Sequence, residues 1–539
     1  MGSTHMRASR NKSRTILLAA AGLGACFPAF FLAAQEQAVF RAGTRLVEVD
    51  VVVRDKNGPV RGLTKDDFTL YDCTASERSV PHPFSPCKGK RQPLDVFREV
   101  NALSAPPAAP AIPLAPGAVS NRIYSDGKPL ASATVVLFDQ LNTPFDLKGY
   151  QRLQIVKFLQ SIDDKNRIAL YSLGQDLHIL QDFTDDPKKL IQAVAKLDSG
   201  DQLSAPTPDP AVNSKIAALE GQVYGDVARD VAVEAIQKII QHMEGVPGRK
   251  NLVWIAQRFD TIFNPRFGPP LARILLGQAN IAVYPVMVRS LQASGVLNMR
   301  ASGRPQALPM PDLGIQFANR RLGESLGGSG FGDAADALDA VRAAEQDADN
   351  YYVLGFYPAE KDLDGGTHQL TLEVSKKVAK RPDVVLTYRQ VYQATKSGLP
   401  VEEPPKIADL LHSPVDAAAI GLTAAIVPDA AKPGMRRVQA TVSLADIQLR
   451  REQDRWVGSF HVAVRFEYTE AAVLMVTPAV EQTVSLSFTD AELASKRAAG
   501  WPIAQPIPGD INRGSVHIVV QDDANGAAGS LRVPIPDSK

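Results

Sequence analysis

The residues best suited to chemistry follow an apolar run of strand-forming residues, Ala133 to Phe138. Asp139 ends that run, and Asn142 and Thr143 follow shortly after it. Loops at the carboxyl ends of buried parallel strands are where open α/β sheets bind their ligands. A purely structural alternative is that Asp139 accepts hydrogen bonds from the amides of its own loop or from Thr143. The residue types therefore predict a binding loop and leave its ligand open.

The elements around this loop predict an α/β sheet. An apolar run that ends in polar residues and leads into helical periodicity near Gly149 is typical of a buried parallel strand and its covering helix. Helical periodicity recurs between later strand-like runs, for example from Val227 to Met243. Strands alternating with helices indicate a doubly wound, Rossmann-like sheet with helices on both faces, which binds ligands at the carboxyl ends of its strands. The further strand-like runs lie at 167–174, 177–181, 250–256, 281–287, 351–357, 368–375 and 384–389.

The sequence on both sides of this region is β-patterned, so the predicted fold class is α/β plus all-β. Short alternating runs joined by turns such as Asp55 to Gly58 predict β modules. Proline- and alanine-rich stretches predict the linkers between them. The predicted division is a β-sandwich-like module at 39–100, a linker at 101–121, the α/β domain at 122–395, a linker at 396–420 and a C-terminal β-sandwich at 421–539.

Residues 1–34 are typical of an export signal. Basic residues from Arg7 to Arg14 precede the apolar run Ile16 to Ala34, and the small residues Ala33 and Ala34 offer a cleavage site. Two alternatives stay open, namely an uncleaved membrane anchor and lipidation at Cys26. We expect a periplasmic, envelope-associated or secreted protein that meets a membrane only through this segment.

The cysteines agree with export, because Cys73 and Cys87 lie close together in the predicted N-terminal module. In an oxidising compartment they can form a disulfide that closes a loop of about 15 residues, worth roughly 3 kcal/mol. Two buried thiols are the alternative.

Several function classes find no support in the sequence. A formal net charge of +1 gives no reason to expect nucleic acid or an anionic membrane surface as a partner. The histidines are scattered, and Gly327 to Gly332 fits neither the nucleophile elbow nor a phosphate-binding glycine loop. We therefore expect a protein that is not an enzyme.

Eight segments, in their order along the chain, resemble the von Willebrand factor type A (VWA)-related family typified in acidobacteria. Proteins of that family are exported and carry a VWA domain flanked by β modules. The resemblance implies that the predicted α/β region is a VWA-like domain. The segments are Val47–Val53, Gly62–Phe68, Leu137–Thr143, Asp182–Thr184, Pro247–Trp254, Val283–Pro285, Tyr351–Pro358 and Leu386–Arg389.

The resemblance also implies where a metal would bind. Functional VWA domains bind a divalent cation through an aspartate, hydroxyls two and four positions later, and residues of other loops. Asp139 and Thr143 match the first and third positions, but Leu141 cannot ligate. Arg258 stands where a second aspartate is expected, and Asp260 is a weak substitute for it. The metal site of Asp139, Thr143 and Asp260 is therefore expected to be degenerate.

These features lead to one expected function and two alternatives. We expect an exported, non-enzymatic protein that mediates protein–protein interaction or adhesion at the cell envelope without a cofactor. Its binding face would consist of Asp139, Asn142, Thr143 and Arg258. The first alternative is a cation-dependent adhesin that holds Mg²⁺ or Ca²⁺ through Asp139 and Thr143. The second is an envelope enzyme whose site is assembled from scattered polar residues.

Overall fold

A computed structural model gives the fold, and every residue that it describes lies in one unit, Thr44–Lys539. The predicted export signal at 1–34, with Cys26, and the predicted site residues Arg258 and Asp260 lie outside the described part of the chain. The described residues are 46–74, 87, 89–101, 117–122, 124–125, 128–129, 132–143, 159, 168–184, 186–195, 214–244, 246, 248–256, 259, 271–287, 313–331, 337–394, 405–429, 432–470, 473–509 and 511–536.

The chain is a mixed α/β protein that consists mostly of strands. The strands are β1 (Val47–Asp55), β2 (Gly58–Pro59), β3 (Phe68–Cys73), β4 (Lys90–Gln92), β5 (Val96–Asn101), β6 (Val119–Ser120), β7 (Tyr124–Ser125), β8 (Lys128–Pro129), β9 (Ala133–Asp139), β10 (Ile168–Leu173), β11 (Leu177–Thr184), β12 (Lys250–Ala256), β13 (Ile281–Met287), β14 (Asn350–Phe356), β15 (Thr367–Val374), β16 (Val385–Tyr388), β17 (Val391–Gln393), β18 (Leu422–Pro428), β19 (Arg436–Val442), β20 (Arg450–Glu452), β21 (Arg455–Glu470), β22 (Val473–Val476), β23 (Val480–Phe488), β24 (Trp501–Pro506), β25 (Gly514–Asp522) and β26 (Ala528–Ile535).

The α-helices lie mainly between the strands of the central part of the chain. They are α1 (Pro187–Ala195), α2 (Ser214–Met243), α3 (Leu271–Gln278), α4 (Leu313–Ser325), α5 (Ala337–Asp349), α6 (Lys376–Ala379), α7 (Ile407–His412) and α8 (Asp490–Ala499). Short 3₁₀ helices are present at Lys65–Asp67 and Glu360–Asp362. Among the residues that the structure describes, no helix has both the length and the apolar composition needed to cross a bilayer.

A five-stranded sheet in the order β11-β10-β9-β12-β13 forms the centre of the α/β part. The strands β10, β9, β12 and β13 run parallel, and β11 is antiparallel to β10. The side chains of Val135 and Leu137 pack on one face with α2 and α3, whereas Val136 and Phe138 pack on the other with α1 and α5. Because both faces of β9 are covered, every residue of the strand is buried, which explains its continuous apolar run.

The predicted strands at 351–357, 368–375 and 384–389 do not extend this sheet, and that expectation is wrong. β14 and β16 pair with β1, and β15 pairs with β3. Val49, Tyr352 and Leu370 belong to one buried cluster between these sheets. The α/β part is therefore inserted between β5 and β14, and we call the two sheets that share this cluster the first sandwich. An apolar run gives the burial of a strand but not its partner, so the pattern alone could not place these strands.

The C-terminal part contains two further sheets, which we call the second sandwich. One sheet has the order β24-β19-β18-β6, and the other contains β20, β21, β25 and β26 with β22 and β23 paired to β21. Its core includes Leu422, Val442, Phe460 and Ile518. Two short elements differ from the predicted linkers at 101–121 and 396–420. Strand β6 pairs with β18, and helix α7 packs Leu410 and Leu411 near Val519 of β25.

Candidate functional site

Asp139 lies at the carboxyl end of β9, level with Leu173 at the end of β10. Its side chain is fully buried. The Oδ1 atom accepts a hydrogen bond from the Asn142 backbone N at 2.8 Å. The Oδ2 atom accepts one from Asn142 Nδ2 at 2.8 Å and one from the indole Nε1 of Trp254 at 3.0 Å. Both carboxylate oxygens therefore face N–H donors.

The loop after Asp139 is closed by its own hydrogen bonds. The Thr143 hydroxyl donates to the Asp139 carbonyl oxygen at 2.6 Å. The backbone N atoms of Gln140 and Leu141 donate to the Leu173 carbonyl oxygen at 2.9 and 3.1 Å. Leu141 is buried in the apolar cluster beneath α2. Leu141, which occupies the second position of the metal motif and cannot ligate, thus packs into the core and anchors the loop.

Burial controls the electrostatics of Asp139. Desolvation raises the pKa of its carboxyl to about 6, although the hydrogen bonds from Asn142 and Trp254 lower the pKa. The Asp139 carboxylate is therefore costly to ionise in place, and the donors around it offset part of that cost. Burial and hydrogen bonds are the main causes of this pKa shift, and none of these main causes is a basic side chain.

In the structure the polar atoms of this loop are engaged in hydrogen bonds. The Asp139 oxygens accept from N–H groups, and the Thr143 hydroxyl donates to a carbonyl oxygen. Within the described residues, no group of three or more His, Cys, Asp or Glu side chains is arranged to hold a metal ion. The loop of Asp139, Asn142 and Thr143 is thus built to fix its own conformation. The other two predicted site residues, Arg258 and Asp260, lie outside the described residues.

The two cysteines of the predicted pair are joined by a disulfide, with Cα atoms 6.2 Å apart. The disulfide ties the end of β3 to the segment before β4. Gly89 lies against it, where an added Cβ would stand 2.2 Å from the Asp72 carbonyl oxygen and 2.6 Å from the Cys73 sulfur. Only glycine allows this close approach of the backbone.

A buried polar network in the first sandwich was not predicted from the sequence. The Nδ1 atom of His368 lies 2.9 Å from Asp72 Oδ1, and its Nε2 atom lies 3.2 Å from Asp364 Oδ1. Tyr392 donates from its hydroxyl to Asp72 Oδ2 at 2.7 Å. Burial would lower the pKa of His368, but the hydrogen bonds and charges of Asp72 and Asp364 raise it. The separation of 296 residues between Asp72 and His368 hides this pair from any local pattern.

A second unpredicted network joins the first sandwich to the α/β part. Arg54 of β1 donates from Nε to Asp347 Oδ1 of α5 at 2.8 Å, and Tyr284 of β13 donates to Asp347 Oδ2 at 2.7 Å. The buried Arg249 guanidinium donates to the Gly327 carbonyl oxygen. The contacts of Asp347 tie α5 and β13 to each other and to β1. Hydrogen bonds of this network offset part of the cost of burying the charged side chains of Asp347 and Arg249.

An apolar surface lies at the edge of the second sandwich, and we call Val473, Leu474, Met475, Val476 and Val480 the apolar edge. Their exposed fractions lie between 38% and 66%. β22 and β23 pair with β21 along one side. No other strand pairs with them in the part of the chain that the structure describes. This surface was not predicted from the sequence, although four consecutive large apolar residues, Val473 to Val476, are present there.

Comparisons with known proteins give the chain no family. No protein-family model matches it. No curated protein matches it either. Among solved structures, it is similar to an aerotolerance-related membrane protein from Bacteroides fragilis, with 11% identity, a TM-score of 0.22, and coverage of 40% of this chain and 98% of the other. The conserved hypothetical protein BatB from Bacteroides thetaiotaomicron matches with 12% identity, a TM-score of 0.22, and coverage of 40% and 95%.

A third similar structure is a von Willebrand factor type A protein from Catenulispora acidiphila. It has 10% identity and a TM-score of 0.21, and the match covers 87% of this chain and 73% of the other. TM-scores this low do not establish a shared fold, and nothing about function follows from them.

Proposed function

We propose that this chain is an exported, non-enzymatic protein that binds another protein at the cell envelope. In this proposal the α/β part is a doubly wound, VWA-like domain, and a β-sandwich lies on each side of it. The sheet order β11-β10-β9-β12-β13 supports the proposal, because the third, second, first, fourth and fifth strands follow one another as in doubly wound folds. Helices α2 and α5 on opposite faces of the sheet support it as well.

The metal motif is degenerate in this proposal, and no cation takes part in binding. Leu141 is committed to the core, and the Asp139 carboxylate to N–H donors. Asp139, Asn142 and Thr143 are all buried, so they support the shape of the sheet edge rather than its contacts. A cation-dependent adhesin would need both Asp139 and Thr143 to release their present hydrogen bonds, so we do not favour that alternative.

The observation that carries the proposed function is the apolar edge. Exposed apolar residues that lie next to one another mark interaction surfaces, whereas isolated ones do not. The edge continues into β23, and the stretch 473–488 contains one charged residue, Glu481. Proteins usually protect such an edge with charges, because its unpaired backbone groups accept a further strand.

The partner that fits this surface is an extended strand with apolar side chains, supplied by another protein. Backbone hydrogen bonds along β22 and β23 would give affinity, and the side chains of Leu474 and Val476 would select apolar residues in alternate positions. Leu474 and Val476 point to the same side of the strand because strand side chains alternate. Pro478 has no backbone N–H, so pairing would divide there into two segments.

Site-specific photo-crosslinking tests the proposed function. A photoreactive side chain replaces Met475 in the exported full-length chain, and a matched control replaces Val385, which is 48% exposed on β16. We expect position 475, but not position 385, to crosslink one envelope protein through an extended apolar segment. Leu474→Glu should abolish that crosslink, because it places a charge in an apolar contact, whereas Val385→Glu should leave it unchanged.

A synthetic peptide of the crosslinked segment should then bind the purified chain and lose affinity for the Leu474→Glu variant. Equal crosslinking at positions 475 and 385 would overturn the proposal. So would crosslinks only between copies of this chain, because they would make the apolar edge a self-association surface.

A further inference from the structure

The last turn of α2 meets the segment 413–418, which leads into the second sandwich. His242 lies at this meeting point and is only 4% exposed. Its Nδ1 atom is 2.7 Å from the carbonyl oxygen of Asp416. Its Nε2 atom is 3.2 Å from Oδ1 of Asp182, at the end of β11. The ring therefore bridges the α/β part and the segment that follows it.

Both atoms opposite the His242 ring are acceptors. A carbonyl oxygen cannot donate, and an ionised carboxylate cannot donate either. A neutral imidazole has one N–H group, so it can satisfy only one of these contacts, whereas the imidazolium satisfies both. Burial lowers the pKa of His242, but the hydrogen bond and charge of Asp182 and the contacts with Asp416 outweigh burial and raise the pKa.

The segment 413–418 is attached to both parts of the chain. Val415 packs in the apolar cluster of the α/β part. Ala417 packs in the small apolar cluster that also contains Leu410 of α7 and Val519 of β25. The Ala418 backbone N donates to the Gln241 carbonyl oxygen at 2.9 Å, one residue from His242. On the other side, the Ser530 backbone N donates to the Ala417 carbonyl oxygen at 2.9 Å. The contacts of His242 therefore act where the two parts are joined.

The other groups around His242 do not titrate in its place. The Tyr171 ring lies 6.2 Å away, and burial raises the pKa of Tyr171 well above its usual value. Phe183 stacks on the imidazole at 5.8 Å and carries no charge.

Two groups of the second sandwich lie behind Asp416. The Arg532 backbone N is 3.3 Å from Asp416 Oδ2, and His517 Nε2 is 3.9 Å from Asp416 Oδ1. Burial and the charge of Arg532 lower the pKa of His517 to about 4. Near neutral pH, His517 is therefore uncharged, which leaves His242 as the ring that can carry a positive charge between Asp182 and Asp416.

We propose that His242 is a pH-sensitive latch, whose protonated ring holds the segment 413–418, and with it the second sandwich, on the α/β part. The latch does not depend on the proposed function. Loss of the proton leaves one ring nitrogen opposite an acceptor and leaves Asp182 and Asp416 without a cation between them. The pKa of His242 is raised in the folded state, so protonation of His242 stabilises the contact. This stabilisation is complete below the pKa of an unfolded histidine and is lost as the pH rises through the folded pKa.

Hydrogen–deuterium exchange of the full-length chain tests the latch. Exchange of the peptide that contains residues 413–418 is compared between pH 6 and pH 9 and corrected for the intrinsic pH dependence of exchange. We expect this peptide to lose protection as His242 loses its proton, because the contacts that raise the pKa of His242 hold the segment more tightly when the ring is protonated. His242→Gln should give protection that does not change with pH, because an amide cannot gain or lose the proton.

The matched control is His412→Gln, which removes an exposed histidine at the end of α7 and should keep the wild-type pH profile. If His242→Gln fails to fold, Asp182→Asn serves instead, because its side chain is 56% exposed and its loss should move the midpoint to lower pH. A wild-type profile that is flat with pH would overturn the latch. A pH dependence that persists in His242→Gln, or a midpoint unmoved by Asp182→Asn, would overturn it as well.

Discussion

At the residue scale, the carboxylate of Asp139 is held by donors that the surrounding chain supplies. Asn142 contributes its backbone and side-chain N–H groups, and Trp254 contributes its indole from the neighbouring strand β12. Each donor would lose a partner if the carboxylate were removed, and an unsatisfied buried donor costs roughly 1–3 kcal/mol. Asp139 therefore supports the edge of the sheet through its hydrogen bonds.

The titration of Asp139 gives a testable pH dependence of stability. Its folded pKa of about 6 lies above the usual value of 3.8, so the folded state binds the proton more tightly than the unfolded chain. Its contribution to stability is therefore complete below the unfolded pKa and is lost as the pH rises through the folded pKa. We expect the free energy of unfolding of wild type, relative to Asp139→Asn, to fall by an amount on the order of 3 kcal/mol between pH 4 and pH 7.

Urea unfolding at several pH values measures this difference, and Asp339→Asn, at a carboxylate whose side chain is 68% exposed, serves as the control for removing one acid. A difference between the wild type and Asp139→Asn that is constant with pH would contradict the prediction. Calorimetric titration of Mg²⁺ into the same two proteins adds a second readout. Heat of binding with the wild type alone would favour the cation-dependent alternative, because the variant lacks the negative charge that a divalent cation needs from this side chain.

At the element scale, the short strands of the first sandwich depend on cross-links as well as on apolar burial. β4 has three residues and pairs only with β3 among the described strands. The Cys73–Cys87 disulfide lies directly before it in the chain, and Gly89 allows the backbone to pass the sulfur atoms. A strand this short gains little from its own hydrogen bonds, so its position depends on the disulfide.

Removal of the disulfide should therefore destabilise the first sandwich. For a closed loop of about 15 residues, we expect Cys73→Ser with Cys87→Ser to lower the free energy of unfolding by about 3 kcal/mol. Urea unfolding with and without a thiol reductant provides the measurement. The wild type should lose the same stability in reductant, whereas the double variant should not respond to it. A wild type that is equally stable in reductant would show that the disulfide contributes nothing.

At the scale of the whole molecule, the first sandwich is built from two distant parts of the chain. β1 pairs with β14 and β16, and β3 pairs with β15, so the strands before the α/β part need the strands after it. The contact between Arg54 and Asp347 and that between Arg389 and the Gly277 carbonyl oxygen of α3 then tie the inserted part to the sandwich. The two parts are therefore expected to fold together.

Truncation within this arrangement gives the last prediction. A fragment of residues 44–349 keeps the whole α/β part but loses β14 to β17, so the buried face of β1 with Val49 and Val51 becomes exposed. We expect this fragment to unfold without a cooperative transition for the sandwich, whereas residues 44–394 should retain one. Circular dichroism during urea unfolding and limited proteolysis compare the two. A cooperative, protease-resistant sandwich in the shorter fragment would contradict the insertion.

The sequence by itself determined which segments are buried and what kind of element they form. The apolar runs at 250–256 and 281–287 coincide with β12 and β13, because strands covered on both faces must be apolar throughout. It also determined that Leu141 cannot ligate a metal, which depends only on the chemistry of its side chain. The predicted VWA-like domain, the export and the non-enzymatic function stay predictions.

Only the tertiary structure decided which buried segments lie together. β14 has the apolar pattern of a strand in the central sheet, yet it pairs with β1, about 300 residues away in the chain. The same holds for His242, whose bond to Asp416 crosses 174 residues. Hydrophobic periodicity indicates which residues are buried, but it does not indicate which residues they pack against. Pairing, buried ion contacts and the apolar edge were therefore decided by packing across the whole chain.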